Sequence, residues 1–455
     1  MANYQFYSFV TALYLLNLIL EATDGLSLPK SPRTCVIGAG YSGLGTARYL
    51  KEYDVDFTVF EASRHIGGTW RFDPQVGVDK DGIPLFTSMY KGLRTNTPLQ
   101  TMEYPGFPFP EGTPTYPEGS CFYKYLKTFA KKFNLLEHIQ VRSLVNSVTW
   151  AGNHWNVTYM KTDTRENVTE ACDFVVIASG ENCYPSWPTF EGLDEFQGKL
   201  MHSHDYKEPE PFQDRRVLLV GAGASGLDLA MHLSNVTSKL VHSHHLKYNQ
   251  PDFSKNYVKK PEIKTFTNNG VVFEDDSFEE IDVAIFATGY LFSHPFLDSS
   301  TGVTATGKFV LPLYQQIVNI KHPTMAFVGV AKKVINRVLG AQGQYVAALA
   351  AGKFQLPSQD EMLKSWLDHV HAQKDFKIVD VNVVGTEMDN YFRNLTMEAG
   401  VEQPPPVLTM MRDFNLKNRL EDLLNYRDYD WTILDDTHYK REHVPRKELP
   451  CPIDD

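Results

Sequence analysis

The fold of this chain is decided by the stretch Thr34-Cys35-Val36-Ile37-Gly38-Ala39-Gly40-Tyr41-Ser42-Gly43, in which a short apolar run leads into a glycine-rich turn. The pattern recurs 183 residues later (38 to 221) as Val217-Leu218-Leu219-Val220-Gly221-Ala222-Gly223-Ala224-Ser225-Gly226. In a strand–turn–helix context, G-x-G-x-x-G holds the pyrophosphate of a dinucleotide at a helix N-terminus. A single copy is weak evidence. Two copies predict two bound dinucleotides, with a hydride passing between them.

Two further apolar runs ending in small residues extend this duplication. They are Asp173–Gly180 and Asp282–Gly289, and each follows its own glycine turn. We therefore predict an α/β fold with two Rossmann-like domains, the second inserted into the first. The predicted bounds are 26–187 for the first part of the first domain, 188–292 for the inserted domain, and 293–455 for the return segment and a C-terminal extension. Met325–Gly329 is the predicted returning strand.

Composition narrows the class of protein. The 455 residues are 42% hydrophobic and 22% charged, as expected for two or three globular domains. The net charge of −11 argues against nucleic acid or an anionic membrane surface as the main partner. No apolar run lies near the C-terminus, so we expect no transmembrane anchor there. The composition does not decide whether the protein forms a homo-oligomer.

The N-terminus has the pattern of a secretory signal. An apolar stretch of 15 residues, Phe6–Leu20, is too short to span a bilayer, and small residues at Thr23 and Gly25 suit cleavage after Gly25. Residues 1–25 are therefore predicted as a signal peptide. No Lys or Arg precedes Lys30, so an uncleaved anchor or a buried helix is the alternative. We expect a secreted protein, or one retained in the lumen of the secretory pathway.

Sequons and cysteines bear on the same question. Four N-x-S/T sequons agree with export, at Asn156, Asn167, Asn235 and Asn394. The five cysteines are odd in number and contain no C-x-x-C, so we predict neither a disulfide framework, nor a metal site, nor a redox dithiol. Cys35, within the first strand, is expected to be buried packing.

The residues at the two strand ends distinguish the two cofactors. Glu61 lies 18 residues past Gly43 (43 to 61), where an acid accepts hydrogen bonds from ribose hydroxyls, as FAD requires. The same offset past Gly226 (226 to 244) gives His244, which does not repel a 2′-phosphate and so favours NADPH over NADH. The alternative for this histidine-rich segment is a solvated strand end.

Four motifs carry a family resemblance. Phe196-x-Gly198-x-x-x-His202-x-x-x-Tyr206 resembles the identifying sequence of flavin-containing monooxygenases. The resemblance continues at Gly67-Gly68-Thr69-Trp70, at Ala287-Thr288-Gly289-Tyr290, and at Ala341-Gln342 with Gly352-x-x-x-Leu356-Pro357. Related Baeyer–Villiger enzymes usually end the first motif in Trp, so Tyr206 indicates the N- and S-oxygenating branch. The short C-terminus and the secretory start resemble the insect members that N-oxygenate plant pyrrolizidine alkaloids.

The resemblance implies a glutathione-reductase-like arrangement, with FAD and NADPH as cofactors and O2 and a small amine or sulfide as substrates. It implies a cycle in which reduced flavin forms a C4a-hydroperoxide whose distal oxygen passes to nitrogen or sulfur. The alternatives are a broad xenobiotic N- or S-oxygenase and a non-catalytic carrier. A pyridine-nucleotide disulfide reductase would need the redox dithiol that this sequence lacks.

The resemblance also assigns site residues. Asn96 matches the family asparagine near the flavin C4a, where an amide can donate and accept at once; a turn-forming Asn before Pro98 is the alternative. Asp228 is assigned to the second cofactor, although it could merely cap or pack. The implied FAD-side contacts are Gly38, Ala39, Gly40, Tyr41, Ser42, Gly43, Glu61, Gly68, Thr69, Trp70, Thr95, Asn96, Thr97, Val145 and Gln342. The implied NADPH-side contacts are Tyr206, Gly221, Gly223, Ser225, Gly226, Leu227, Asp228 and His244.

Overall fold

The computed structural model describes residues 32–305, 307–372 and 381–454. The predicted signal peptide, 1–25, lies outside the described residues. The helices are α1 Tyr41–Glu52, α2 Gly119–Lys132, α3 Ala224–Leu233, α4 Asn336–Ala350, α5 Gln359–Ala372, α6 Met388–Ala399 and α7 Val407–Glu421. Between Asp73 and Glu118 the chain has only isolated bridges and one 3-10 turn, Leu99–Thr101, between coil and bends.

The strands up to the second glycine turn are β1 Thr34–Ile37, β2 Phe57–Phe60, β3 Ile139–Gln140, β4 Ser143–Trp150, β5 Trp155–Lys161, β6 Asn167–Cys172, β7 Phe174–Ile177, β8 Tyr184–Pro185, β9 Lys199–His202 and β10 Arg216–Val220. Those that follow are β11 Lys239–Ser243, β12 Tyr257–Lys260, β13 Ile263–Thr267, β14 Gly270–Phe273, β15 Phe278–Glu280, β16 Val283–Phe286, β17 Tyr290–Leu291, β18 Leu313–Tyr314, β19 Val318–Asn319, β20 Met325–Phe327, β21 Tyr429–Ile433 and β22 Tyr439–His443.

The first Rossmann sheet has the strand order β18-β19-β20-β7-β1-β2-β3. Its centre is parallel, and every residue of β1 and β7 is buried, which explains why these strands read as continuous apolar runs. β20 pairs in parallel with β7, as predicted for the returning strand. Helix α1 packs against α4, so the return segment completes the core over the first glycine turn.

The second sheet, β12-β11-β10-β16-β9, is parallel throughout. All of its strands lie within 199–286, between β7 and β20 of the first sheet. The second unit is therefore inserted into the first, as predicted; the boundaries at 188 and 292 stay predictions. Antiparallel sheets β4-β5-β6 and β13-β14-β15 flank the two units, and β21-β22 forms a C-terminal hairpin.

The cysteines correct the sequence analysis. Cys35 is bonded to Cys172, and Cys121 is bonded to Cys451, across separations of 137 and 330 residues. The first pair forms because β1 and β7 are neighbours and Cys172, the last residue of β6, lies two residues before the start of β7. The second ties the C-terminal end to α2. Both pairings depend on tertiary contacts, so neither spacing nor an odd count could predict them.

Within the described ranges, the helices are all too short or too polar to cross a bilayer.

Candidate cofactor sites

Each glycine turn brings a helix end against a strand end. A Cβ added to Gly43 would lie 1.8 Å from the carbonyl oxygen of Gly38, and one added to Gly226 would lie 2.0 Å from that of Gly221. Only glycine permits this approach. The N-termini of α1 and α3 consequently lie at the carboxyl ends of β1 and β10, which is the anion-binding geometry of a dinucleotide fold.

Glu61 and His244 occupy equivalent places, as their common offset predicted. Glu61 directly follows β2, which pairs with β1, and His244 directly follows β11, which pairs with β10. The Glu61 carboxylate accepts the backbone N–H groups of Ala39 and Ser63, each at 2.9 Å. Burial raises the pKa of Glu61, against the lowering effect of these two donors. The Glu61 carboxylate is thus held in place by a backbone N–H of the first glycine turn.

A cavity of about 1380 Å³ opens from the first turn. It exceeds the volume of an ordinary small-molecule pocket, as an extended dinucleotide requires. The predicted FAD-side residues that line it are Gly38, Gly40, Tyr41, Ser42, Glu61, Gly68, Thr69, Trp70 and Val145. Trp70 packs its ring on Phe122, with centroids 4.2 Å apart, so one wall is fixed by α2. The turn, the carboxylate and the cavity together fit FAD.

Three other predicted FAD-side residues do not line the cavity but support residues that do. Ala39 and Gly43 shape the turn without lining the cavity. Gln342 is fully buried: its amide nitrogen donates to Tyr391 at 2.8 Å, and its oxygen accepts the N–H of Gly329 at 3.1 Å. A direct contact of Gln342 with FAD stays a prediction. In the structure Gln342 holds Gly329, which lines the cavity.

Asn96 does not line this cavity, and neither do its neighbours Thr95 and Thr97. Thr95 is buried, and its hydroxyl has no partner among the described residues. Asn96 is partly exposed, and within the described chain no protein group hydrogen-bonds its side-chain amide. The amide is therefore available to a ligand, and its catalytic role stays a prediction.

The second turn is more open than the first. Gly223 is exposed and Ser225 partly exposed at the start of α3, whereas the His244 side chain is buried. Neither ring nitrogen of His244 has a partner in the described part of the chain. Burial lowers the pKa of His244 to about 4, so it is neutral at pH 7. A neutral imidazole can hydrogen-bond a phosphate but adds no charge.

The neighbouring histidines have other uses. His242 joins the carbonyl of Gly221 (2.9 Å) to the Tyr257 hydroxyl (3.0 Å), so it supports the turn. His245 is exposed and paired with Glu262 at 2.7 Å. Of the three, only His244 combines burial with unused nitrogens, which leaves it the candidate for the 2′-phosphate.

Three predicted NADPH-side residues have side chains that are engaged within the protein. The Asp228 carboxylate is buried and contacted by the Arg427 guanidinium, at 2.5 Å, and by the Tyr90 hydroxyl. Tyr206 is fully buried among Tyr90 and other rings, so its side chain has no surface for a ligand. The Leu227 side chain packs into the core of the first unit. These three side chains pack against other parts of the protein, and their contact with NADPH stays a prediction.

Sequence reasoning missed several cavity residues. Gly329 follows β20 with a φ of +104°, and Asn336 and Leu339 come from the first turns of α4. The signal for Gly329 was present, since Gly180 and Gly289 also follow buried strands. Cys183 also lines the cavity, and burial raises the pKa of its thiol to about 12, so it is not a thiolate nucleophile at neutral pH.

Comparison with known proteins agrees with this geometry. Residues 31–246 and 254–421 match the family described as flavin-binding monooxygenase-like. The chain is 54% identical to senecionine N-oxygenase of Tyria jacobaeae over 97% of this chain and 98% of that protein. It is 32% identical to flavin-containing monooxygenase FMO GS-OX-like 8 of Arabidopsis thaliana, over 90% and 95% of the two chains.

Among solved structures, S-allyl-L-cysteine S-oxygenase from Allium sativum superimposes with a TM-score of 0.81 at 28% identity, covering 88% of this chain and 95% of that one. The two glycine turns, the Glu61-bearing cavity and these relatives lead to one conclusion: the chain belongs to the flavin-containing monooxygenases and is an enzyme that uses FAD and NADPH.

Proposed function

We propose that this enzyme forms N-oxides of tertiary amines, with pyrrolizidine alkaloids of the senecionine type as its substrate class. The observation that carries the proposal is the 54% identity to a senecionine N-oxygenase along nearly the whole of both chains. In the proposed reaction NADPH, a proton, O2 and the amine give NADP⁺, water and the N-oxide. The flavin, when bound, supplies the activation of O2 by electrons from NADPH.

The protein's part is to orient the reactants and keep water out. The glycine turns and Glu61 are placed to hold the cofactor ends, and Trp70, packed on Phe122, forms an apolar wall of the cavity. Asn96 offers an amide that can donate and accept hydrogen bonds at the reacting atoms. No acid, base or metal of the protein is needed in this assignment.

The test is to incubate purified protein with NADPH, O2 and senecionine and to quantify the N-oxide by mass spectrometry. We expect one N-oxide per NADPH oxidised. NADPH oxidation with hydrogen peroxide as its only product would contradict the proposal. The Asn96→Ala variant is the matched comparison, because it should retain bound FAD and form measurably less N-oxide per NADPH oxidised.

The second candidate function is sulfide oxygenation, which the 28% identical S-oxygenase structure favours. Presenting S-allyl-L-cysteine and senecionine to the same enzyme separates the two. A kcat/KM for the thioether above that for the alkaloid would replace the first proposal by the second.

We further propose that the protein is exported and glycosylated. Two disulfides support an oxidising compartment, and the sequon residues Asn167, Asn235 and Asn394 are exposed. Asn156 is partly buried within β5 and is expected to stay unmodified. Expression in insect cells should yield secreted protein that begins at Leu26 and loses mass on deglycosylation. Retention inside the cell with Met1 intact would overturn this.

A further inference from the structure

Arg427 contacts both dinucleotide units with one guanidinium. It lies in the 3-10 turn Tyr426–Asp428, between α7 and β21, and its side chain is 11% exposed. Nε donates to the carbonyl of Thr95 at 3.0 Å, and one terminal nitrogen donates to that of Arg94 at 3.2 Å. The other terminal nitrogen reaches the carboxylate of Asp228 at 2.5 Å. All three nitrogens are engaged.

The backbone carbonyl of the next residue, Asn96, is also bound by the C-terminal segment. Asn415, fully buried on α7, donates its side-chain N–H to the Asn96 carbonyl at 2.9 Å. Its own oxygen accepts from the Tyr116 hydroxyl at 2.7 Å. The C-terminal segment thus binds three consecutive carbonyls, those of 94, 95 and 96. The Asn96 backbone is held while its side chain is left available.

The other end of the contact belongs to the inserted unit. Asp228 lies in the second turn of α3, the helix that begins at the second glycine turn, and Tyr90 donates to its second oxygen. Burial alone would raise the pKa of Asp228, but Arg427, His232 and Tyr90 together outweigh it and lower the pKa, so the carboxylate is ionised. A buried carboxylate left without its cation would be strongly unfavourable.

We propose that Arg427 is a positioning residue that couples docking of the second dinucleotide unit to the placement of Asn96. The proposal rests on the predicted role of Asn96 in the oxygenation. A guanidinium serves three acceptors in a planar fork, which the single ammonium of lysine cannot do. Displacing a reacting group by about 1 Å can cost about 100-fold in rate, so a small movement of this loop matters.

The first test uses Arg427→Lys, which keeps the charge beside Asp228 and loses the carbonyl contacts. We expect the backbone amide of Thr95, which donates to the Pro117 carbonyl at 3.0 Å, to exchange hydrogen at least about tenfold faster, since a local opening free energy lower by about 1.4 kcal/mol corresponds to that factor. The matched control is Arg446→Gln. Arg446 pairs with Asp430 in the C-terminal hairpin, and its hydrogen bonds among the described residues go to Asp430 alone. Unchanged exchange in Arg427→Lys would overturn the proposal.

The second test is a double-mutant cycle with Asn96→Ala, read as product formed and peroxide released per NADPH consumed. If Arg427 acts through Asn96, Arg427→Lys lowers product yield in the parent and has no further effect in Asn96→Ala. Additive losses would overturn the proposal. Tyr90→Phe, a milder change at Asp228, provides the cycle if Arg427→Lys does not fold. Hydrogen exchange needs no substrate, so a failure of the alkaloid proposal leaves the first test intact.

Discussion

The two dinucleotide units of this protein share a backbone and differ in what surrounds it. Both have a helix forced onto a strand end by glycine, and both place one side chain at the next strand end, Glu61 or His244. The first unit contains the large cavity, and the Cys35–Cys172 disulfide crosses its sheet. The second is open at Gly223, and its helix is held through Asp228 by the C-terminal segment. The comparison teaches that the backbone defines what kind of ligand binds, and the surroundings define how it is held.

The largest expected effect comes from adding one methyl group to each turn. Gly43→Ala places a Cβ 1.8 Å from a backbone oxygen, so we expect no flavin-loaded protein. Gly226→Ala makes the equivalent clash in the second unit and should retain FAD while losing NADPH binding. Gly340→Ala, in α4 and outside both turns, brings its Cβ no closer than 3.5 Å to another atom and is the control. Flavin absorbance and nucleotide titration measure both; flavin loss in Gly226→Ala would show that the units are not separable.

Removing the Cys35–Cys172 bond should destabilise the first unit. Its 137-residue separation corresponds to about 5 kcal/mol of unfolding free energy in the chain-entropy account. The double variant Cys35→Ala, Cys172→Ala tests this by denaturant unfolding, with peptide mapping of the unreduced parent as the control. Free thiols at both positions in the parent would contradict the pairing.

Low pH should destabilise the folded protein by protonating its buried histidines on unfolding. Burial lowers the pKa of His242 to about 3 and of His202 and His244 to about 4, whereas the unfolded value is about 6.5. The unfolded chain therefore binds more protons between pH 6.5 and pH 4, and stability falls as pH falls through that window. At pH 5 the loss is about 2 kcal/mol for each histidine. His242→Gln should flatten the pH dependence of unfolding and the exposed His245→Gln should not; equal slopes would refute this origin.

The smallest expected effect concerns the difference between Glu61 and His244. His244→Arg adds a charge-assisted hydrogen bond toward a 2′-phosphate, so the KM for NADPH should fall about tenfold, equivalent to about 1.4 kcal/mol. The KM for NADH should not change. His245→Arg, at the exposed neighbouring position, is the control. An equal change for both nucleotides would remove His244 from the phosphate site.

Much of the fold could be predicted because its signals are local. The offset of 18 residues from the last glycine to Glu61 or His244 spans one helix and one strand, so it follows from regular geometry. Gly329 follows a buried strand just as Gly180 and Gly289 do, so the sequence also indicated a cofactor contact there. The protein partners of Asp228 and Gln342 could not be predicted, because Arg427 and Tyr391 lie 199 and 49 residues away in sequence.

By itself, the sequence determined two Rossmann units and their order along the chain, and it predicts FAD in the first unit and NADPH in the second. A glycine turn and the residue at the next strand end are short-range features, and backbone sterics translate them directly into geometry. Tertiary structure alone decided which cysteines pair, which side chains Asp228 and Gln342 bind, and which groups hold the carbonyls beside Asn96. Those choices join residues far apart in the chain, and a buried polar group takes whichever partner the packing brings to it.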